Sequence, residues 1–215
     1  MKYPLIVFDW DGTVIDSPGA IVECIREASR DMGLRVPEPE QASHVIGLGL
    51  RDSLQLAVPD LPAERYPEFV DLYRKHFLER EDSMRLFAGM NDLLGYFSKE
   101  HTLAIATGKS RRGLDRALEY TGVGGFFAAS RCADETHPKP HPAMLLELME
   151  EFSMENTQVL MIGDTSHDLE MARAAAVDAV AVSYGAHPEA GLRACGPLGC
   201  FADVNSLHRW LRANA

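Results

Sequence analysis

Short, continuous apolar runs recur along the chain and constrain the fold more than any other feature. They lie at 5–8, 103–106, 126–129, 159–162 and 179–182, and a segment that can be helical follows each of them. A strand that is apolar at every position has both faces buried, which is typical of a parallel sheet covered by helices. The sequence therefore predicts an α/β fold, with a Rossmann-like parallel sheet and helices on both faces.

The segment between the first two predicted strands has a different pattern. Residues 16–84 contain no buried-strand run, and their apolar residues recur at helical spacing between prolines. We expect 16–84 to form an inserted all-helical cap subdomain, and 1–15 together with 85–215 to form the α/β core. Within the core, helices are predicted over 110–121, 142–152 and about 167–176, with a last helix near 205–213. The Gly-, Ala- and Pro-rich segment 183–197 is predicted to be a loop.

The charge balance excludes two classes of partner. The 215 residues include 21 Lys and Arg against 32 Asp and Glu, which gives a net charge of −11. An excess of this sign repels both a nucleic-acid backbone and an anionic membrane surface. No early apolar run is long enough for a signal-peptide core or a spanning helix, and the four cysteines show no C-x-x-C pairing. We therefore expect a cytoplasmic protein with reduced thiols.

Two carboxylates follow the first predicted strand. Asp9 and Asp11 are separated by one residue, and Gly12 comes directly after them. Residues i and i+2 of an extended chain point the same way, so both carboxylates can face the crevice beyond the strand. An Asp-x-Asp pair also occurs in turns whose carboxylates bond local amides, so this pair alone leaves both interpretations open.

The second predicted strand and the loop after the third carry groups that suit an anion. Thr107 and Gly108 offer a hydroxyl and an amide at the start of a predicted helix, although a plain helix cap by Thr107 or Ser110 explains them as well. Lys139 lies between two prolines, which limit where its ammonium can go. A surface turn is the alternative for that segment.

A second acidic pair, Asp164 and Asp168, follows the strand 159–162. If a helix begins there, both carboxylates lie near its N-terminus, where negative charge is favoured and where a simple cap is the alternative. Asp9, Asp11 and Asp164 would repel one another if they converged without a cation, and hard oxygen ligands favour magnesium. Because all these motifs lie at predicted strand ends, their conjunction favours one ligand site over several separate caps.

Such a site can transfer a phosphoryl group. One carboxylate would attack phosphorus and form an aspartyl phosphate, as carboxylate nucleophiles do. Asp11 could protonate the leaving oxygen and later deprotonate water. Magnesium, Lys139 and Thr107 would stabilise the charge that spreads over the phosphoryl oxygens.

These residues resemble the motifs of the haloacid dehalogenase superfamily, in the same order along nearly the whole chain. DWDGT at 9–13 resembles the first motif, Thr107 the second, Lys139 the third and GDTSHD at 163–168 the fourth. The helical insertion resembles the cap of the phosphoglycolate phosphatase-like branch. That branch often has Thr-Asn-Lys at the second motif, whereas this chain has Thr-Gly-Lys at 107–109.

The resemblance implies a role for each acidic residue. Asp9 would be the nucleophile and Asp11 the general acid and base. Magnesium would be held by the Asp9 carboxylate, the Asp11 backbone carbonyl and Asp164. Asp168 would support the water shell of the metal or the position of Lys139.

The resemblance also implies which residues contact the substrate. Thr107 and the Gly108 amide would bind the phosphate, and Lys139 would neutralise it. In the cap, the segment 46–51 resembles a substrate-specificity loop that includes Gly47 and Arg51. A turn at Gly47 and a solvated helix charge at Arg51 explain the same residues.

We therefore expect a magnesium-dependent phosphatase that acts as a monomer on a small phosphorylated metabolite, with phosphoglycolate as the default substrate. Asp11 argues against the dehalogenase and phosphonoacetaldehyde hydrolase branches, which typically lack an acid at that position. A sugar phosphate mutase or a pyrophosphatase of the same superfamily stays open. A phospho-accepting receiver domain is a distant alternative, because such domains are much shorter and have no helical cap.

Overall fold

A six-stranded parallel sheet forms the centre of the computed structural model, which describes residues 2–215. The strands are β1 (Leu5–Phe8), β2 (Thr102–Thr107), β3 (Ala129–Cys132), β4 (Val159–Gly163), β5 (Asp178–Val182) and β6 (Cys200–Phe201), in the spatial order β3-β2-β1-β4-β5-β6. Consecutive strands β2 and β3 lie on one side of β1, and β4 to β6 lie on the other. The strand order therefore reverses between β1 and β4, where sheets of this kind form a crevice.

Both faces of the sheet are buried, which explains the continuous apolar runs. In β1, Ile6 and Phe8 belong to one hydrophobic cluster, whereas Leu5 and Val7 belong to another. This alternation follows from the two-residue period of a strand. The helices at Met90–Phe97, Arg111–Thr121 and Val204–Asn214 contribute to the first cluster, and those at Ala143–Phe152 and Ser166–Ala174 contribute to the second, so helices cover both faces of the sheet.

The helices connect the strands and build the insertion. They are α1 (Pro18–Asp31), α2 (Pro39–His44), α3 (Leu50–Ala57), α4 (Tyr66–Glu81), α5 (Met90–Phe97), α6 (Arg111–Thr121), α7 (Ala143–Phe152), α8 (Ser166–Ala174), α9 (Glu189–Ala194) and α10 (Val204–Asn214). Within residues 2–215, none of the helices has the length and apolar character needed to cross a bilayer.

Helices α1 to α4 lie in the segment between β1 and β2, and α1 packs against α4. The chain enters and leaves this segment at neighbouring positions, because Ile15 forms an antiparallel bridge with Leu86. The Asp16 N–H also donates to the Arg85 carbonyl at 2.9 Å. Two connecting segments thus join the helical insertion, which contains α1 to α4, to the sheet.

The predicted fold class is confirmed, and the differences are local. The predicted strand at 126–129 is wrong: a 3₁₀ turn occupies Gly124–Phe126, and β3 begins at Ala129. The strand β3 pairs only with β2 and so lies at an edge of the sheet, where polar residues are tolerated. Its Arg131 pairs with Glu147 and Glu151 on α7, so the apolar-run criterion misses it.

The predicted loop at 183–197 contains the short helix α9, whose one buried residue, Leu192, gives no readable periodicity. The two-residue strand β6 and helix α5 were not predicted either. The strand is too short for a pattern to appear, whereas α5 carries a readable one, because its buried Met90, Leu93, Leu94 and Phe97 follow the i, i+3, i+4, i+7 spacing of a helix.

Glycines allow the segments that follow three of the strands to pack closely against one another. A Cβ placed on Gly185 would lie 2.2 Å from Asp164 Oδ2 and 2.4 Å from the Gly12 carbonyl oxygen. A Cβ on Gly163 would lie 2.3 Å from Asp168 Cγ. The loops after β1, β4 and β5 can therefore meet only because these positions have no side chain.

We expect Gly185→Ala to lower the free energy of unfolding by about 1–3 kcal/mol, because the added methyl must displace backbone or a buried carboxylate. Gly191→Ala is the matched control, since Gly191 is helical and a Cβ there meets no atom within 4 Å. That change should stabilise the protein by up to about 1 kcal/mol. Urea unfolding measures both variants, and equal stabilities would contradict the close packing at Gly185.

Candidate active site

The predicted site residues gather at the carboxyl edge of the three central strands. Asp9 follows β1, Thr107 is the last residue of β2, and Asp164 follows β4. The Asp9 N–H still donates to the Ile162 carbonyl at 2.9 Å, so Asp9 leaves the sheet in register with β4. This edge is where open α/β sheets bind their ligands.

A fully buried ammonium lies at the centre of the site. Lys139 Nζ is 2.7 Å from Asp9 Oδ1 and 2.6 Å from Asp168 Oδ1, and the three side chains are at most 1% exposed. Burial alone would lower the pKa of Lys139, but the carboxylates of Asp168 and Asp9 raise it above its usual value. Lys139 is therefore a permanent positive charge between two carboxylates.

Asp9 has one oxygen fixed and the other free. Its Oδ1 faces Lys139 and also accepts the Trp10 N–H at 2.6 Å. Its Oδ2 is buried and has no hydrogen-bond partner among residues 2–215. Burial raises the pKa of Asp9 well above its usual range, and the Lys139 charge opposes that rise. Asp9 is thus a buried carboxylate whose Oδ1 is held by Lys139 and Trp10 and whose Oδ2 has no partner among residues 2–215.

Asp164 is held by two donors. Thr13 Oγ1 donates to its Oδ1 at 2.9 Å, and the Ala186 N–H donates to its Oδ2 at 2.7 Å. Burial, followed by the charge of Asp168, raises the pKa of Asp164 to about 7. Asp168 is fixed in turn, since Thr165 donates to its Oδ2 from both the N–H (3.1 Å) and the hydroxyl (2.7 Å).

These carboxylates suit a hard divalent cation. One oxygen each of Asp9, Asp164 and Asp168 lie within 4.8 Å of one another, and all three residues are buried. Each Asp164 oxygen has a lone pair left after its single hydrogen bond, so it can still bind a cation. An all-oxygen donor set of this kind fits magnesium.

Asp11 is oriented by two residues that the sequence analysis did not assign. Ser17 Oγ donates to Asp11 Oδ1 at 2.7 Å, and Lys109 Nζ lies 3.2 Å from the same oxygen. Lys109 also lies over the ring of Phe77, 4.5 Å from its centroid, so it joins the core to the helical insertion. The position of Asp11 therefore depends on both parts of the chain.

The insertion covers the end of β2. A Cβ on Gly108 would lie 2.5 Å from the Leu48 carbonyl oxygen and 2.6 Å from that of Gly47. Gly47 itself has a φ of +92°, which favours glycine, and a Cβ there would lie 3.9 Å from Asp9 Oδ2. The loop at 45–49 thus approaches both Asp9 and the Thr107–Gly108 segment.

Arg51 is not brought into this site. It is exposed, and its guanidinium carbon lies 5.9 Å from the ring centroid of Tyr66 in the insertion. The cavity beside the site has a volume of about 390 Å³ and does not include Arg51 in its lining. Its charged lining residues are instead Asp11, Arg74, Lys109, Arg112, Arg116 and Asp134.

Two buried histidines connect the segments after β4 and β5 to the insertion. His167 Nε2 and His187 Nε2 lie 2.9 and 3.1 Å from one acceptor, the His44 carbonyl at the end of α2. The Ser166 N–H donates to His187 Nδ1, so the proton of that ring is on Nε2 and is donated to His44. Neither histidine has a sequence pattern that signals this contact, because the acceptor is a distant backbone oxygen.

The remaining residues that sequence reasoning missed differ in how readable they are. Thr13 lies inside the DWDGT segment, and Thr165 begins the helix after Asp164, so position alone could suggest both. The Ala186 amide, Ser17 and Lys109 act through contacts set by the three-dimensional fold. No local pattern could single out Ser17 or the Ala186 amide, whereas Lys109 lies in the Thr-Gly-Lys segment at 107–109.

Comparison with known proteins identifies the family to which the chain belongs. The sequence model of the family described as "Haloacid dehalogenase-like hydrolase" matches residues 6–182. A probable phosphatase IndB of Dickeya dadantii (strain 3937) is 33% identical over 200 residues, which cover 90% of this chain and 87% of that protein. A phosphoglycolate phosphatase of Agrobacterium fabrum is 28% identical over 192 residues, which cover 85% of this chain and 81% of that protein.

A solved structure shows the same fold. The crystal structure of a predicted phosphoglycolate phosphatase from Haemophilus somnus 129pt matches with a TM-score of 0.89 and 23% sequence identity, over 98% of this chain and 99% of that one. The family match spans both the strand-end motifs and the helical insertion. The chain is therefore an enzyme of the haloacid dehalogenase-like hydrolase family.

Proposed function

We propose that this enzyme is a magnesium-dependent phosphatase that hydrolyses a small phosphomonoester through an aspartyl-phosphate intermediate. The observation that carries the proposal is the buried Asp9 Oδ2, which has no hydrogen-bond partner among residues 2–215 while Lys139 and Trp10 hold Oδ1. A carboxylate oxygen held in this way is ready to attack phosphorus.

In the first half-reaction, Asp9 Oδ2 forms a bond to phosphorus, and the ester P–O bond breaks. The electron pair of that bond goes to the alcohol oxygen, which receives a proton from Asp11. In the second half-reaction, Asp11 takes a proton from water as the water oxygen attacks phosphorus. The bond from phosphorus to Oδ2 then breaks, which releases phosphate and restores the Asp9 carboxylate.

The phosphate is positioned by groups of the core. The Thr107 hydroxyl and the Gly108 N–H bind its oxygens, and Lys139 offsets their charge. These groups are fixed before the substrate enters: Lys139 is buried between two carboxylates, and Thr107 ends a central strand. Preorganised donors of this kind stabilise the charge that develops in a phosphoryl transition state.

Asp9, Asp164 and the Asp11 backbone carbonyl would hold magnesium in this proposal. When bound, the ion offsets the carboxylate charges and stabilises negative charge on the phosphoryl oxygens. The contact of Asp168 with Lys139 at 2.6 Å supports a role in positioning that lysine. Burial and the Asp168 charge raise the pKa of Asp164, as expected for a carboxylate whose partner would be a cation.

The helical insertion, residues 16–84, acts as the cap in this proposal, and 1–15 with 85–215 form the core. The bridge between Ile15 and Leu86 supports these boundaries, because it is where the two connecting segments meet. The carbonyls of Gly47 and Leu48 approach Gly108, so the cap covers the phosphate-binding segment and excludes water from it. Gly47 would contribute to specificity through this close approach.

We take phosphoglycolate, the substrate class in the name of the Agrobacterium fabrum relative, as the reference substrate. The proposal also includes a monomer that acts in the cytoplasm. All four cysteines are free thiols, which suits a reducing compartment. Burial also raises the pKa of Cys24 to about 11 and that of Cys132 to about 12, which makes these two thiols unreactive.

Asp9→Asn should reduce phosphate release at least about 1,000-fold, because an amide oxygen is a poor nucleophile. The assay measures phosphate from phosphoglycolate and from 4-nitrophenyl phosphate, with circular dichroism to show that the variant is folded. Equal rates in the variant and the wild type would remove Asp9 as the nucleophile.

Asp11→Asn should slow turnover in a way that depends on the leaving group. An alkyl phosphate needs protonation of its alcohol oxygen, so its rate should fall about 100- to 10,000-fold. A 4-nitrophenyl ester, whose leaving group needs no proton, should lose much less in the formation of the intermediate. An identical loss for both esters, measured in single-turnover experiments, would contradict the acid role of Asp11.

Removal of divalent ions with EDTA should abolish phosphate release, and added Mg²⁺ should restore it. Mg²⁺ should also raise the melting temperature by binding the folded state. Asp164→Asn should lose most of that shift, whereas Asp60→Asn, at an exposed position of the insertion, should keep it. A melting temperature that does not respond to Mg²⁺ in the wild type would contradict the metal site.

A further inference from the structure

The cavity between the insertion and the core is larger than a two-carbon leaving group needs. Its volume is about 390 Å³. Liquid water occupies about 30 Å³ per molecule, so the cavity has room for roughly a dozen water-sized groups. Asp11 and Gly108 contribute to its lining, so the space begins where the alcohol part of the substrate leaves the phosphate.

Much of the cavity wall is apolar. Ile21 and Ile25 of α1, Leu48 of the loop at 45–49 and Phe77 of α4 line it from the insertion side. A short, charged acid would lose water against these side chains without gaining a contact. An apolar group of the substrate would instead be removed from water, which is favourable in proportion to its area.

Some charged residues of the cavity lining form ion pairs within the protein, and others do not. Lys109 is paired with Asp11, and Arg116 lies 3.0 Å from Glu81. By contrast, neither Arg74 nor Arg112 has a carboxylate within ion-pair distance anywhere in residues 2–215.

The second acidic residue of the cavity lining, Asp134, accepts a backbone hydrogen bond and forms no ion pair with Arg74 or Arg112 in residues 2–215. Asp134 Oδ1 accepts the Arg111 N–H at 2.8 Å. Two exposed arginines at the mouth of the cavity therefore lack acidic partners, although the whole chain has a net charge of −11. Clefts that concentrate one sign of charge attract the opposite sign.

We propose that the preferred substrate is the phosphate ester of a ring-sized apolar alcohol that has an acidic group at the end remote from the phosphate. The ring packs against Leu48 and Phe77, and Arg74 and Arg112 attract the acid. This inference rests on the proposed phosphatase function. It assigns specificity to these arginines, which the structure places at the cavity, and not to Arg51.

Three esters test the two parts of the inference: phosphoglycolate, benzyl phosphate and 4-carboxybenzyl phosphate. All of them release an unactivated alcohol whose oxygen needs a proton, so the comparison does not depend on an activated leaving group. We expect kcat/KM for benzyl phosphate to exceed that for phosphoglycolate at least tenfold. The added carboxylate should raise kcat/KM about threefold or more, as an exposed ion pair allows.

Substitutions of cavity residues test whether the cavity causes these differences in kcat/KM. Arg74→Gln and Arg112→Gln should each lower the ratio of 4-carboxybenzyl to benzyl phosphate towards one. Arg209→Gln, an exposed arginine on α10 that does not line the cavity, should leave the ratio unchanged. Ile21→Phe narrows the cavity and should lower the ratio of benzyl phosphate to phosphoglycolate. Ratios within one preparation do not depend on the fraction of active enzyme.

The possible results distinguish failure of the substrate inference, failure of the arginine role and failure of the phosphatase function. A higher kcat/KM for phosphoglycolate than for both benzyl esters overturns the inference and leaves the phosphatase function standing. A benzyl preference with no gain from the carboxylate overturns the role of the two arginines. No hydrolysis of these esters or of 4-nitrophenyl phosphate overturns the proposed function and the inference with it. If Ile21→Phe does not fold, the wild-type ratios and the arginine variants still decide.

Discussion

The buried ammonium of Lys139 is the interaction on which the site depends. A lone charge of either sign is too costly to bury, and Asp9, Asp168 and Lys139 are each almost without solvent contact. The ammonium and the two carboxylates compensate one another's charge at contact distances of 2.7 and 2.6 Å, which makes their burial possible. The same contacts decide which oxygen of Asp9 is occupied and which is left free. Stability and chemistry therefore share one arrangement of charges.

That arrangement explains how an acidic protein accommodates an anionic substrate. Both lysines near the reaction centre are already paired, Lys139 with Asp9 and Asp168 and Lys109 with Asp11. A phosphate would add negative charge to a site that is already rich in carboxylates, within a chain of net charge −11. In the proposed mechanism a divalent cation among the carboxylates would offset this excess locally, and the unpaired arginines of the cavity would attract the substrate from further out.

The helical insertion contributes to the site through backbone groups as much as through side chains. The carbonyls of Gly47 and Leu48 approach Gly108, and the carbonyl of His44 lies within hydrogen-bond distance of both His167 and His187. Backbone contacts of this kind depend on the path of the chain and tolerate many side chains. The cavity walls, in contrast, are built from side chains that can vary between proteins with the same fold. In the proposed mechanism, the groups that bind the phosphate and those that select the alcohol are therefore separated in space.

The sequence by itself determined the central strands and the residues at their ends. Buried parallel strands must be apolar on both faces, and Asp9, Thr107 and Asp164 can be named because they lie at the ends of those strands. Lys139 lies in the loop after edge strand β3 and was named from the prolines on either side of it. Edge strand β3 and helix α9 escaped prediction, since an exposed edge and a six-residue helix leave no apolar pattern. Only the tertiary structure decided which cation faces which carboxylate and which arginines line the cavity. Such pairings join residues far apart in the chain, and local spacing contains no information about them.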